Sequence, residues 1–178
     1  MTIKTAALTL ILGVSMTTFA SDQLPTASFR AEHAEVKEHL RHLDSMAGSL
    51  ASQDEAKRAT TAAFIVGFLT DHILTHAAWE EKHLYPAVDK RTTAGARPFT
   101  GTMRYEHGII GRGIDDLRKE SAAPAFDAVR FVRDTDRLLG LIAAHFEKEE
   151  EVLLPVLDES MTREQVEKEL GMAETAHH

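Results

Sequence analysis

The 178-residue chain has no cysteine, which excludes disulfide frameworks, zinc ribbons, thiol catalysis and cysteine-held iron–sulfur clusters. Any metal it takes must be held by nitrogen and oxygen. Five prolines, ten glycines and 6% aromatic residues are little material for a turn-rich sheet architecture. The Ala, Leu, Glu and basic residues that fill their place favour helices. Positive charge is also short. Twenty Lys and Arg against 28 Asp and Glu leave a net charge of −8, a field that repels phosphate backbones and argues against a nucleic-acid partner. What the chain holds in unusual number is histidine, at ten residues.

Residues 1–20 read as a removable export leader: Lys4, an apolar run over 6–14, and Thr18-Phe19-Ala20 ahead of the polar Ser21-Asp22. The apolar stretch falls short of the ~20 residues needed to span a bilayer, so no membrane span is expected in the mature form. Without a twin arginine, the expected route is general secretion and the expected compartment the periplasm. Residues 21–27 form a short linker.

After it, apolar residues recur at helical spacing in four long segments separated by breakers. The expected fold is all-α: an up-down-up-down four-helix bundle over 28–160, followed by a short C-terminal helix and tail over 161–178. The spacing predicts helices over about 28–50, 54–88 and 99–120, and a fourth from the turn at 121–124 to about 157. Asp54 is a plausible N-cap, and residues 91–98 form the longest loop. Thr162 with Gln165 forms a capping box for the tail helix.

The two halves repeat each other at low fidelity. Glu32-His33 on one helix precedes His76-Ala-Ala-Trp-Glu80-Glu81-Lys-His-Leu-Tyr-Pro86 on the next, and Glu106-His107 precedes His145-Phe-Glu-Lys-Glu149-Glu150-Glu-Val-Leu-Leu-Pro155. His76 and His145, like Pro86 and Pro155, are 69 positions apart, so the long motif aligns without a gap. A helix advances about 100° per residue, so His76 and Glu80, or His145 and Glu149, lie within about 40° on one face. His33 and His107 fall on the apolar faces of their own helices. Four imidazoles and two carboxylates in a bundle core are costly unless a cation pair joins them. With Glu80 and Glu149 each bridging two metals, every metal receives two nitrogens and two oxygens. A solvent-derived oxo or hydroxo bridge would make five donors and leave about one open position on an octahedral count.

These motifs resemble those of the hemerythrin family and its HHE cation-binding domains: a Glu-His helix followed by HxxxEE and a Leu-aromatic-Pro ending, occurring twice. The resemblance covers nearly the whole mature chain. It implies terminal ligands at His33, His76, His107 and His145, bridging carboxylates at Glu80 and Glu149, and a non-haem, carboxylate-bridged pair of iron ions. It also implies dioxygen, or another small diatomic or peroxide, as the ligand. The chain departs from oxygen-carrying members at Gly111, where they place a second histidine, and at Glu149, where they have aspartate. The Leu153-Leu154-Pro155 ending also lacks the aromatic that Tyr85 provides in the first half.

His72 and His83 lie within about 40° of the His76 direction and either could supply a fifth nitrogen, although a histidine satisfied in a cavity is the simpler reading. His39 and His42 point elsewhere and are assigned to the surface, and His177 and His178 to the tail. Glu81, Glu147, Glu150 and Glu151 read as a solvated acidic face, with Glu81 and Glu150 also able to hold ligand histidines. Trp79 and Phe146 read as packing. A ferritin-like oxidase needs ExxH on two helices; Glu80 to His83 supplies one, but the second half has Val152. The leading expectation is a dioxygen carrier, store or sensor. The alternatives are a di-iron enzyme reducing peroxide or nitric oxide, and an iron-sensing or iron-handling protein. The sequence names no protein partner.

Overall fold

The computed structural model describes residues 24–92 and 98–171. The expected leader, the part of the long loop that holds Gly95, and the pair His177 and His178 lie outside them. The described residues are helical, without strands, and none of their helices is long and apolar enough to cross a membrane.

Helix α1 (Ala27–Gly48) buries Phe29, His33, Leu40, Leu43 and Ala47, a stripe at the three-to-four-residue spacing of one helix face. A single 3-10 turn at Leu50–Ser52 leads to α2 (Glu55–Phe68), where the Asp54 carboxylate accepts from the Lys57 N–H as N-cap. The second bundle helix is not the uniform rod that periodicity predicts. A π turn over Leu69–Ile73 separates α2 from α3 (Leu74–Lys82), and a break at His83 separates α3 from α4 (Leu84–Asp89). Both interruptions have local causes. The Thr70 hydroxyl donates to the Val66 carbonyl at 2.7 Å, competing with the backbone ladder where the turn widens. Pro86 lacks an N–H and its ring clashes with the carbonyl four residues earlier, at Lys82, where α3 ends.

Helix α5 (Gly101–Ser121) forms the third bundle helix and α6 (Ala128–Lys148) the fourth. Helix α6 starts later than predicted because Asp127, its carboxylate accepting from the Arg130 N–H, sets the N-cap. A second π turn, Glu149–Leu153, then leads to α7 (Leu154–Ser160) and absorbs Pro155 as the His83 break absorbs Pro86. The extra residue in that turn shifts the helix phase by about 100°. Val152, which a regular helix would place on the His145 face, is therefore 48% exposed, and Leu153 is buried. Helix α8 (Arg163–Glu169) carries the Thr162–Gln165 capping box.

Helix α1 packs on α2 and α6, and α5 packs on α2, α3 and α6, closing an up-down-up-down bundle. Helix α5 approaches α6 closely at Gly113, where an added Cβ would lie 2.8 Å from Leu138 Cδ1. The interior divides into two apolar clusters. One, around Leu43, Ile65, Leu69, Ile114, Phe131 and Ile142, fills the end of the bundle nearest the α1–α2 connection. The other, around Phe29, Leu84, Met103, Leu157, Val166 and Leu170, lies at the opposite end and includes the tail helix. Asp158 ties that end together, accepting from the Thr26 N–H at 2.9 Å, the Thr26 hydroxyl at 3.1 Å and Arg30 at 3.1 Å. Arg91 holds α8 through both oxygens of Glu169, at 3.0 and 2.6 Å.

Candidate metal centre

Polar side chains interrupt the hydrophobic interior along all four bundle helices. His33 comes from α1, His76 and Glu80 from α3, His107 from α5, His145 from the end of α6, and Glu149 from the π turn after it. All six are buried. They form two sets of four with donor atoms mutually within 4.8 Å: His33, His76, Glu80 and Glu149, and Glu80, His107, His145 and Glu149. The two sets share both carboxylates.

The shared carboxylates each turn one oxygen toward each set. Glu80 Oε1 lies 2.8 Å from His76 Nε2 and 3.5 Å from His33 Nε2, and its Oε2 lies 3.2 Å from His107 Nε2. Glu149 Oε2 lies 3.7 Å from His33 Nε2, and its Oε1 lies 3.5 Å from His145 Nε2. Within each set the two imidazoles face each other through Nε2, at 3.2 Å for His33 and His76 and 2.9 Å for His107 and His145.

The other nitrogen of every ring is occupied. His33 Nδ1 is 3.2 Å from Glu150, His76 Nδ1 is 3.3 Å from Glu32, His107 Nδ1 is 2.9 Å from Glu81, and His145 Nδ1 is 3.0 Å from Glu106. A carboxylate accepts from Nδ1–H, which leaves the Nε2 lone pair pointing inward and fixes the ring plane. Lys37 and Lys148 steady two of these carboxylates, Glu150 and Glu106 respectively. Each residue of the repeat thus has a task. The Glu before the first histidine orients the second histidine of the same half, and the second Glu of the Glu-Glu pair orients the first histidine of the opposite half. Glu81 and Glu150 hold ligand-set histidines as the sequence allowed. Glu32 and Glu106 do the same, a role the sequence reading did not assign although both recur beside a histidine.

The electrostatics are those of a site short of positive charge. Burial works to raise the Glu80 carboxyl, but the imidazoles of His107, His33 and His76 hold it well below the ordinary range. Burial together with the neighbouring Glu80 charge raises the Glu149 carboxyl. Burial would lower His76, but Glu32 and Glu80 push it up to about 10. His33 and His145 rise against the same burial penalty through Glu150 and Glu80, and through Glu149 and Glu106. Both oxygens of Glu80 and Oε2 of Glu149 are buried without a hydrogen bond. His76 Nε2 is close to Glu80 Oε1 in distance but not in hydrogen-bond geometry. Three orphaned carboxylate oxygens and four inward lone pairs are a donor set suited to a pair of cations and poorly suited to anything else.

Tyr85, which the sequence reading noted only as an aromatic, also enters this layer. Fully buried, its hydroxyl donates to Glu149 Oε1 at 2.6 Å and lies 3.0 Å from His107 Nε2 and 3.3 Å from His145 Nε2. Burial and the charges of Glu80 and Glu149 push its phenol far above the usual range. The signal in the sequence was the mismatch between Tyr85 and Leu154 in the repeat.

His72 and His83 belong to neither set. His72 falls inside the Leu69–Ile73 π turn, is exposed, and stacks on Phe68 at 4.4 Å. His83 sits at the helix break, half-buried, with its ring 5.4 Å from Trp79. His39 and His42 are exposed. At Gly111 an added Cβ would meet Leu74 Cδ2 at 3.9 Å, so that turn of α5 offers the centre hydrocarbon and no nitrogen.

Two openings border the site. A void with room for the centre of one water-sized molecule, about 10 Å³, lies against His76, Glu80, His107 and His145 and is otherwise walled by Ile73, Ala77, Ile110, Ile142 and Phe146. On the outer side a cleft of about 390 Å³, lined by Glu32, Asp71, His72 and Trp79 among others, reaches the edge of His76.

Compared with known families, residues 24–157 match the model of the hemerythrin HHE cation binding domain. No curated protein and no solved structure gives a significant match.

Proposed function

We propose, for a chain that belongs to the hemerythrin HHE cation-binding family, that its centre holds two non-haem iron ions and that its function is to bind dioxygen as a carrier, store or sensor. The observation that carries this reading is the pair of four-residue sets sharing both Glu80 and Glu149. His33 and His76 would hold one ion, His107 and His145 the other, and the two carboxylates both. Two ferrous ions held there would supply the electrons with which dioxygen could be taken up reversibly.

The chain's own residues do the rest. Glu150, Glu32, Glu81 and Glu106 keep the four rings in one tautomer and one plane, so metal affinity does not depend on ordering them at each binding event. Ile73, Ile110, Ile142 and Phe146 give the inner void an apolar wall. At about 10 Å³ the void is at the lower limit for one water-sized molecule and excludes organic substrates. Protons compete for the same site, because His76, His33 and His145 are all raised; metal uptake must release them. The N-terminal pattern supports export, and hence a periplasmic setting for this chemistry.

Metal analysis of untagged protein, followed by optical spectra under air and after removal of oxygen, tests the reading. Two irons per chain and an absorption that appears with oxygen and disappears without it are expected. An iron-loaded protein that consumes peroxide or nitric oxide, with no reversible oxygenated form, would instead favour catalysis. A protein that takes up fewer than two metals when saturated would overturn the ligand assignment.

A further inference from the structure

Building on the two-cation reading, we infer that the Tyr85 oxygen is a fifth protein donor to one of the two cations, the one held by His107 and His145, and that the other cation has no counterpart. The first support is the crowding of donor atoms. The phenol has a single hydrogen, directed at Glu149 Oε1 at 2.6 Å. His107 and His145 direct their Nδ1–H groups to Glu81 and Glu106. The Tyr85 oxygen lies 3.0 and 3.3 Å from the two Nε2 atoms, and these nitrogens face each other at 2.9 Å. Once the rings have given up the protons that metal displaces, three lone-pair atoms at these separations repel unless a cation stands among them.

The second support is the spacing itself. Two donors at right angles around an ion, each bonded at about 2.1 Å, stand about 3 Å apart. The separations from Tyr85 to the two histidines are of that size, so its oxygen occupies a donor position and not an outer one. The ring is held there by a stack on His107, with centroids 5.3 Å apart, and by the Arg104 guanidinium 5.0 Å from the ring centre.

The third support is the broken repeat. The position 69 residues after Tyr85 is Leu154, equally buried, whose side chain offers no donor. One cation thus has two nitrogens and three oxygens from protein, and the other two nitrogens and two oxygens. The less complete half, at His33 and His76, is the one left open to an outside ligand, and the outer cleft reaches the edge of His76. On loading, the phenol O–H bond breaks as the oxygen–metal bond forms. One proton leaves to solvent and no electron is exchanged.

The test uses the full chain loaded with ferrous iron and oxidised with ferricyanide, read by visible absorption and resonance Raman scattering. Ferric iron bound to phenolate gives a charge-transfer band and enhanced tyrosine ring modes. The chain has two tyrosines, and the other, Tyr105, is 67% exposed. We expect the band and ring modes in the wild type and in Tyr105→Phe, and their loss in Tyr85→Phe with two irons still bound. Deuterated tyrosine incorporated into Tyr105→Phe should shift the ring modes, which assigns them to Tyr85 even if Tyr85→Phe does not fold. Two bound irons without phenolate modes in the wild type would overturn this inference alone. Failure to bind iron would overturn it together with the reading on which it rests.

Discussion

Removing the cations should cost the fold a large share of its stability, and more at high pH than at low. At a free-metal concentration a thousand times Kd, one ion contributes about 4.1 kcal/mol; at about 2–4 °C per kcal/mol for a domain of this size, two ions raise Tm by about 16–32 °C. In the metal-free protein His76 is pushed up to about 10, and His33 and His145 are also raised. A folded-state pKa raised above the unfolded one gives stability that is fully present below about pH 6.5. For His76 that contribution is lost as pH rises through about 10. The metal-free fold therefore weakens with rising pH through these rings, whereas the loaded form, with neutral imidazoles, does not. Each proton that metal displaces costs about 1.4 kcal/mol per pH unit, so between pH 6 and 8 one displaced proton widens the gap by about 2.7 kcal/mol, or about 5–11 °C. Thermal melts followed by circular dichroism, with and without a chelator at each pH, measure it. Equal melting temperatures, or a gap that narrows as pH rises, would refute the reasoning.

Glu150→Ala removes the carboxylate that holds His33 and Lys37. Metal affinity should fall about 10–100-fold, or about 1.4–2.7 kcal/mol, with two sites retained in a competitive chelator titration. Gly113→Ala drives a methyl group into the buried Leu138 side chain, and the overpacking of about 1–3 kcal/mol less the helix gain of about 1 kcal/mol should leave a net destabilisation of up to about 2 kcal/mol. Gly140→Ala meets nothing within 4 Å and should stabilise by up to about 1 kcal/mol, so denaturant unfolding should give the two changes opposite signs. Asp158→Ala unties Thr26 and Arg30 from the far end of the bundle, and a loss of about 1.5–3 kcal/mol is expected in the same assay.

The helices and the six buried histidine and glutamate residues were legible because their signals are periodic: apolar stripes at helical spacing, and HxxxE placed twice in one register. Asp54 and the Thr162 capping box were legible because caps are local chemistry. The two π turns were not, because a turn of five residues leaves no composition of its own. Thr70 bonding back to Val66 and Pro155 lacking an N–H become causes only once the surrounding helix is held by packing. The same turns explain His72 and Val152, which helical arithmetic over a straight rod places on the inner face. Glu32 and Glu106 could be seen to recur, but which histidine each holds depends on how neighbouring helices meet. Tyr85 lies nine residues past His76 and across a helix break, so no periodic rule carries it to the opposite histidine pair.

The crosswise pairing of His33 with Glu150 and His107 with Glu81 has a mechanical consequence. Each helical hairpin lacks the clamp for its own leading imidazole and borrows it from its neighbour. Neither hairpin alone presents the finished donor set, so the seam between them must close before two ions could be held. Bound ions would act as rivets through that seam, and extracting them should let the hairpins part before either one melts within itself.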